Sequence, residues 1–485
     1  MAAREVTQDW TVRIASDTDR DLRNHLFPGD GQPHGAALIA GIHRTPRGGR
    51  LLVRKVIKAR DGIDYLPGRD GRGHHRLSAN FVRDAVVRAM DGGFAYLPVH
   101  IHGGTTSVGF SPQDLGSHAR GYPALVDLLA GPPVAPLVFT EQAVGGQVWS
   151  ESGAAGIVRG YVVVGTQTRT FRDAPTAESR RDVTFDRQAR IFGDAGQVLL
   201  GSLKVGVIGC GGVGMLLVEY LARLGVGRLV VVDPDRVEPS NLPRLPGSRR
   251  RDALEPFASS SFELLRRTAQ RFAKPKVRLA ERLGREAPGA TVVEGVFADV
   301  REPAVAARLL DCDYLFLAAN SHQARFLFNA ICQQFLIPGA QIGAKVRTDP
   351  TSGNVTDVHS IVRPVLPGRG CLMCNAVISR SRITEEAADP AQRRAQRYVD
   401  DPGVEAPSVI TLNASATAIA ANDFLFTMTG LTAAEARPDW LKIAPASRDV
   451  FMIGPRQDAA CPECSLGGRF GRGDGGARLP TFFRG

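Results

Sequence analysis

Lys204-Val-Gly-Val-Ile-Gly-Cys-Gly-Gly-Val-Gly-Met-Leu-Leu-Val-Glu-Tyr-Leu-Ala-Arg-Leu224 is the stretch whose reading decides the fold. The run Val205-Gly-Val-Ile208 reads as a buried strand, and Met215 to Leu224 as a helix. Between them, Gly209, Gly211 and Gly214, with Gly212 inside the set, have the spacing of a tight turn that lets backbone approach a phosphate at a helix N-terminus. Arg228-Leu-Val-Val-Val-Asp233 reads as the next strand. Asp233 closes it at the distance where a carboxylate can hold ribose hydroxyls, and Asp235 follows as a second candidate. Strand–helix–strand with near-continuous apolar strands predicts a Rossmann-like α/β domain, its parallel sheet covered on both faces. Further buried strands are expected at Thr291-Val-Val293 and Tyr314-Leu-Phe-Leu317. The glycines alone fit a nicotinamide-binding domain equally well.

The flanks separate these readings. Ser240-Asn-Leu-Pro-Arg244 and Lys274-Pro-Lys276 lie downstream, and Phe185-Asp-Arg-Gln188 and Gly196-Gln197 upstream. A dehydrogenase has no use for an Asn, an Arg and a Lys converging on phosphates. Attack of a carboxylate on the α-phosphate of ATP does, because charge develops on the phosphate oxygens. This assembly resembles the ThiF/MoeB superfamily, the core of the ubiquitin-activating enzymes, from about Thr184 to Ser465. The resemblance implies that Gly209 to Gly214 cradle ATP, that Asp233 holds the ribose, and that Asn241, Arg244 and Lys276 contact the phosphates. It also implies that Arg187 reaches into a neighbouring subunit's site, and hence a homodimer. Where the family has an Mg²⁺-holding aspartate, Leu317-Ala-Ala-Asn320-Ser-His-Gln-Ala-Arg325 presents Asn320. Its carbonyl can coordinate, but without the charge a hard cation prefers.

The rest of the chain sets the frame. Its 485 residues suffice for two to four domains, and 43 % apolar with 22 % charged residues exclude wholesale disorder. A formal charge of +11 favours an acidic partner. The densest basic segments are Arg249-Arg-Arg251, Arg266/Arg267/Arg271/Lys274 and Arg393/Arg394/Arg397. Few aromatics interleave them, so they read as solvated faces or a surface for an acidic protein, with nucleic acid the least favoured partner. The start, Met1 to Trp10, lacks the apolar core of a signal peptide, and no run approaches a membrane span. With seven cysteines, this predicts a cytoplasmic protein in a reducing compartment. Residues 165–183 read as a polar linker, and the Gly/Arg-rich 467–485 as a disordered tail.

Cys371-Leu-Met-Cys374 and Cys461-Pro-Glu-Cys464 have the spacing of a closed four-thiolate Zn²⁺ site, structural because no position stays open. Redox chemistry is the competing use of such pairs. Cys210, Cys312 and Cys332 read as packed core, and no cysteine lies between Cys374 and Cys461 to form a thioester.

Residues 1–164 read as a smaller α+β domain, with short apolar alternations and one helix from Ser78 to Met90. Val99-His-Ile-His102 followed by Ser111-Pro-Gln-Asp114 offers His100, His102 and Asp114 as three ligands to Zn²⁺. A metal there can activate water for amide hydrolysis. The pattern resembles the JAB/MPN (JAMM) metallopeptidases, which implies those three ligands and Ser111 as a helper of the oxyanion. That family's general base is a glutamate on an early segment. Here the matching stretch is Gln32-Pro-His-Gly-Ala-Ala37, without one, which implies a pseudo-isopeptidase.

The sequence therefore predicts an adenylyltransferase using ATP, Mg²⁺ and Zn²⁺. It would activate the C-terminal carboxylate of a ubiquitin-like protein in a bacterial-type conjugation or modifier-processing system. The activated carboxylate would pass to a conjugating enzyme or other thiol acceptor. The alternatives are a metallo-isopeptidase whose ThiF-like domain binds the modifier, and a non-catalytic scaffold.

Overall fold

The computed structural model describes residues 8–67, 74–151, 153–174, 182–289, 291–349, 352, 354–387, 407–432 and 439–482. The chain divides into two compact units. One comprises residues 1–177 with 333–336 and 464–477; the other comprises 178–332, 337–463 and 478–485.

The first unit runs β1 (Gln8–Ala15), α1 (Ser16–Leu26), β2 (Ala36–Thr45), β3 (Gly48–Lys58), β4 (Tyr65–Pro67), β5 (His74–Leu77) and α2 (Ala79–Met90). It continues with β6 (Ala95–Ile101), α3 (Pro112–Leu129), β7 (Leu137–Phe139), β8 (Val144–Ser150), β9 (Gly153–Val164) and β10 (Arg169–Phe171). Its main sheet has the order β1-β3-β2-β6-β7-β8-β9-β10, and β1 also pairs with β9, so the order returns on itself. Two-residue alternation gives each face its own core. Val12, Leu38, Leu97 and Phe139 pack with Leu22 and Leu26 of α1. Ala37, Ile39 and Tyr96 pack with Phe81 and Val86 of α2 and Val126 of α3. The helix expected at Ser78 to Met90 is α2, with Ser78 accepting a hydrogen bond from Phe81 N at 3.3 Å as its cap.

The second unit runs α4 (Asp186–Ser202), β11 (Lys204–Ile208), α5 (Gly212–Arg223), β12 (Arg228–Val232), α6 (Glu255–Ala258), α7 (Glu263–Phe272), α8 (Lys276–Glu286) and β13 (Val292–Val296). Then come α9 (Pro303–Ala307), β14 (Tyr314–Leu317), α10 (His322–Gln334), β15 (Gly339–Thr348), β16 (Val355–Val365), α11 (Arg380–Ala387), α12 (Ile410–Thr429), β17 (Trp440–Ala444) and β18 (Asp449–Ile453). The sheet order is β13-β12-β11-β14-β15-β16-β17-β18. Its first five strands are parallel and the rest antiparallel. Val205, Val207, Leu229 and Phe316 bury one face against α5 and α12.

Four expectations need correction. The sheet is mixed, because the chain turns back at β16 instead of continuing by crossovers. Thr291-Val-Val293 lies at the exposed edge, where Val292 is 56 % exposed, because β13 has a neighbour on one side only. The linker is shorter than 165–183: Arg169 to Phe171 form β10 on β9, whereas 175–181 lie outside the described residues. The segment 467–485 is not a disordered tail over its described part. Phe470 is buried, Gly473 bridges to Ile42 of β2, and Asp474 Oδ1 lies 2.7 Å from His43 Nδ1. Its glycines serve close approach, since a Cβ on Gly473 would stand 2.2 Å from Ile42 O. The basic trio Arg393, Arg394 and Arg397 lies outside the described residues.

Candidate functional site

The second unit's candidate site lies beyond the carboxyl ends of β11, β12 and β14, where open α/β sheets bind ligands. Gly209 leaves β11 with φ +98°, a conformation that excludes other residues at little cost only for glycine. A Cβ on Gly214 would stand 1.8 Å from Gly209 O, so α5 can begin there only without a side chain. Over Gly211, the residue capping α5, an added Cβ meets nothing within 4 Å. The turn is closed on its inner side and open on its outer side, as the backbone N–H groups of a phosphate cradle require.

Asp233 holds this turn. Its Oδ2 accepts from Cys210 N at 2.6 Å and its Oδ1 from Asp235 N at 2.8 Å. Burial raises its carboxyl above the usual range, against the pull of Lys276. Lys276 opens α8 and donates from Nζ to Asp235 Oδ2 at 2.8 Å. Burial works to lower the lysine's pKa, but Asp233 and Asp235 overcome it and leave it raised, so the ammonium stays charged. Asn241 is buried with its Oδ1 lacking a hydrogen-bond partner, while its Nδ2 donates to Ser240 Oγ at 3.2 Å. Arg244 is half-buried, Asn320 is exposed just past β14, and Arg187 is exposed in the first turn of α4. Gln188 and Gln197 fasten α4 to the end of α5 through Leu224 O, at 3.0 and 3.1 Å.

One contributor had no signal in the sequence. Asn413, buried on α12, places Nδ2 2.2 Å from where a Cβ on Gly212 would lie. One turn on, Thr417 Oγ1 reaches Val213 O at 3.4 Å. Gly212 is thus a packing glycine under α12, and no residue pattern around Asn413 announces it.

Cys371 Sγ lies 3.7 Å from Cys374 Sγ and 3.8 Å from Cys461 Sγ, and with Cys464 the four sulfurs all lie within 4.8 Å of one another. The edge of a tetrahedron of about 2.3 Å Zn–S bonds is about 3.8 Å, so these thiols fit a four-coordinate ion. Cys210, Cys312 and Cys332 are buried, and burial pushes the Cys210 and Cys332 thiols far up.

In the first unit, His100 and His102 leave β6 with Nε2 atoms 3.2 Å apart. Asp114 lies 3.7 Å from the first and 3.2 Å from the second. Three donors at that spacing fit bonds of about 2.0–2.2 Å to one Zn²⁺. Burial holds the His100 ring down at about 4 despite Asp114, so it is a neutral donor. Burial alone would raise Asp114, but Ser111 turns the balance downward. Ser111 caps α3, donating from Oγ to Asp114 Oδ2 at 2.7 Å and accepting from Asp114 N at 3.2 Å. Ser111 thereby fixes the orientation of the Asp114 carboxylate. In the stretch without a glutamate, His34 is buried, with Nε2 2.9 Å from Asp30 Oδ2.

A glycine turn at the carboxyl edge of the sheet's parallel strands, with a lysine and an acid beside it, is an arrangement with which α/β proteins can bind a nucleotide. The ThiF family model matches residues 185–463, more than half of the chain, and the chain belongs to the ThiF family. Among curated relatives, the SAMP-activating enzyme E1 of Haloferax volcanii is 34 % identical over 146 residues, 30 % of this chain and 47 % of that protein. The adenylyltransferase and sulfurtransferase MOCS3 of Mus musculus is 44 % identical over 98 residues, 19 % of this chain and 21 % of that protein. The chain thus spans less than half the length of these relatives. Among solved structures, E. coli MccB with ATP covers 59 % of this chain and 75 % of its own, with 16 % identity and a TM-score of 0.42.

Proposed function

We propose that this chain is an ATP-dependent adenylyltransferase that activates the C-terminal carboxylate of a ubiquitin-like protein. A carboxylate oxygen attacks the α-phosphorus, a C(O)O–P bond forms, and the bond to the leaving pyrophosphate breaks. The observation that carries the reading is the turn Gly209 to Gly214 facing the Lys276–Asp235 pair. Lys276 and Arg244 would take up charge on the phosphate oxygens, the amides after Gly211 would donate to them, and the buried Asn241 side chain would orient a phosphate. Asn320 would hold Mg²⁺ through its carbonyl. Arg187, exposed and without an ion pair among the described residues, would serve a second copy's site in a homodimer. The names of the relatives, a SAMP-activating enzyme E1 in Haloferax and an adenylyltransferase and sulfurtransferase in mouse, support adenylylation as the reaction class.

Zn²⁺ at Cys371, Cys374, Cys461 and Cys464 would be structural. Cys210, Cys312 and Cys332 are buried, so the adenylate would pass to an external thiol, such as a conjugating enzyme, and not to this chain's own cysteine. We read the first unit as a JAB/MPN-like domain that keeps three zinc ligands but lacks a glutamate base, and so serves to dock modifier. The convergence of His100, His102 and Asp114 favours the second reading, an isopeptidase in a modifier-processing system, to the extent that another group supplies the base. No helix among the described residues is long and apolar enough to cross a membrane.

The test is pyrophosphate–ATP exchange with the small protein that co-purifies with the chain. Exchange should require that protein and fall by roughly a hundredfold or more in Lys276→Ala. Exchange that is independent of the small protein, or untouched by the substitution, would refute the assignment.

A further inference from the structure

Four strands of the second unit contribute one residue each to a row across the sheet. Leu317 of β14 pairs with Gln341 of β15, and Gln341 with Arg363 of β16. Beyond it, Arg363 stacks over the Trp440 ring of β17, with its guanidinium carbon 5.4 Å from the ring centroid. This row lies on the sheet face opposite Ala340, Ile342 and Val362, which belong to the core under α5 and α12. On that opposite side runs α10, whose Phe328 stands 2.9 Å from where a Cβ on Gly339 would be. Arg325, in the first turn of α10 and five residues past Asn320, belongs to the same face.

The two arginines share an unusual state. Arg363 donates to Gln341 Oε1, a neutral acceptor. Arg325 Nη1 lies 3.4 Å from the ring of His322, and its Nε is buried without a hydrogen-bond partner. Glu386, the carboxylate felt by Arg325, has its oxygens on His322 N and Gln323 N at 2.8 and 2.9 Å. Among the described residues, no carboxylate pairs with Arg363. Burial, then repulsion by Arg325, pull its pKa down to about 10. Half-buried cations that repel each other are costly unless an anion joins them. Guanidinium forks are the side chains best shaped to receive a carboxylate.

We propose that Arg325 and Arg363, with Gln341, form a carboxylate-binding site beside the nucleotide turn. If the chain is an adenylyltransferase, as proposed above, its ligand is a carboxylate of the protein substrate's C-terminal segment. Lys276 and Arg244 follow β12, on one side of β11, whereas Arg325 follows β14 and Arg363 lies within β16, on the other side. A tail held there approaches the phosphates from the side opposite the lysine.

The test is calorimetric titration of the full chain with sodium malonate as the carboxylate probe and with inorganic pyrophosphate as the phosphate probe. Wild type, Arg363→Gln and Arg363→Lys are compared. Malonate affinity should fall roughly tenfold or more in Arg363→Gln and recover in part in Arg363→Lys. The melting temperature of Arg363→Gln should match or exceed that of wild type, since repulsion with Arg325 is relieved. Malonate binding that is absent in wild type or equal in Arg363→Gln overturns the site. Loss of pyrophosphate binding alone would assign it to nucleotide phosphate and overturn the carboxylate. ATP titration of the same wild-type sample separates the two readings. Failure to bind ATP sinks adenylation, whereas ATP binding with malonate insensitive to Arg363 sinks only this site.

Discussion

The glycine turn of the second unit and the histidine pair of the first are built by opposite means. The turn consists of backbone, and what makes it work is the absence of side chains at Gly209, Gly212 and Gly214. Its one carboxylate, Asp233, spends its oxygens on main-chain N–H groups. The histidine site consists of side chains, three of them converging from β6 and α3 with a serine aiming the third. Each also departs in one residue from the pattern it resembles. Asn320 stands where the resembled pattern has a metal-holding aspartate, and the stretch Gln32 to Ala37 contains no carboxylate where the resembled pattern has a base. A lost charge can be supplied by the phosphates themselves, but a lost proton acceptor must come from another group. On the readings proposed above, the same kind of departure would leave the first site able to react and the second able to bind, unless another group supplies the base.

The largest expected effect breaks the turn by addition. Gly214→Ala should abolish measurable ATP binding by calorimetry and lower the melting temperature, because its Cβ meets Gly209 O. Gly211→Ala, which points into open space, should leave the melting temperature unchanged while weakening ATP binding. Equal melting temperatures for the two variants would show that the turn is not closed on its inner side.

Next in size, the side-chain sites should break by subtraction. Metal analysis of purified protein should find zinc lost in part in His102→Ala and in part in Cys371→Ser, with the two losses additive. Only the cysteine change should cost stability heavily, by about 10 °C in melting temperature, since a closed thiolate site contributes folding energy outright. A large drop for His102→Ala would make that metal structural as well.

The smallest effect sharpens the comparison. Asn320→Asp should lower the Mg²⁺ concentration needed for half-maximal exchange by roughly three- to tenfold, by restoring an anionic ligand. An unchanged or raised requirement would show that Asn320 does not face the metal.

Elements with strong local signals were legible in the sequence. Tyr314 to Leu317 form β14 as expected, and the strand, turn and helix around Gly209 to Gly214 lie where the spacing put them. Cys371, Cys374, Cys461 and Cys464 converge although ninety residues separate the halves, because metal-ligand spacing is itself a long-range signal. Illegible were the contributions made by tertiary placement. Asn413 sits in an apolar helix, and only the packing of α12 on α5 sets it against Gly212. Arg363 resembles any strand arginine until the register pairs it with Gln341. The Gly/Arg composition of 467–482 misled because glycine allows close packing as readily as it allows disorder.

That C-terminal return has a consequence for how the molecule is made. Residues 464–477 belong to the unit that begins the chain, with Gly471 and Gly473 lying against β2 and Arg54 donating to Leu466 O. A ribosome releases the amino-terminal strands first, at about 5–20 residues per second. The first unit must then wait through the synthesis of almost the whole adenylation fold before its last piece emerges. For some tens of seconds its β2 flank is a vacancy, and a chaperone or neighbouring chain can reach it. Cutting the gene after residue 177 to isolate the first unit would make that vacancy permanent.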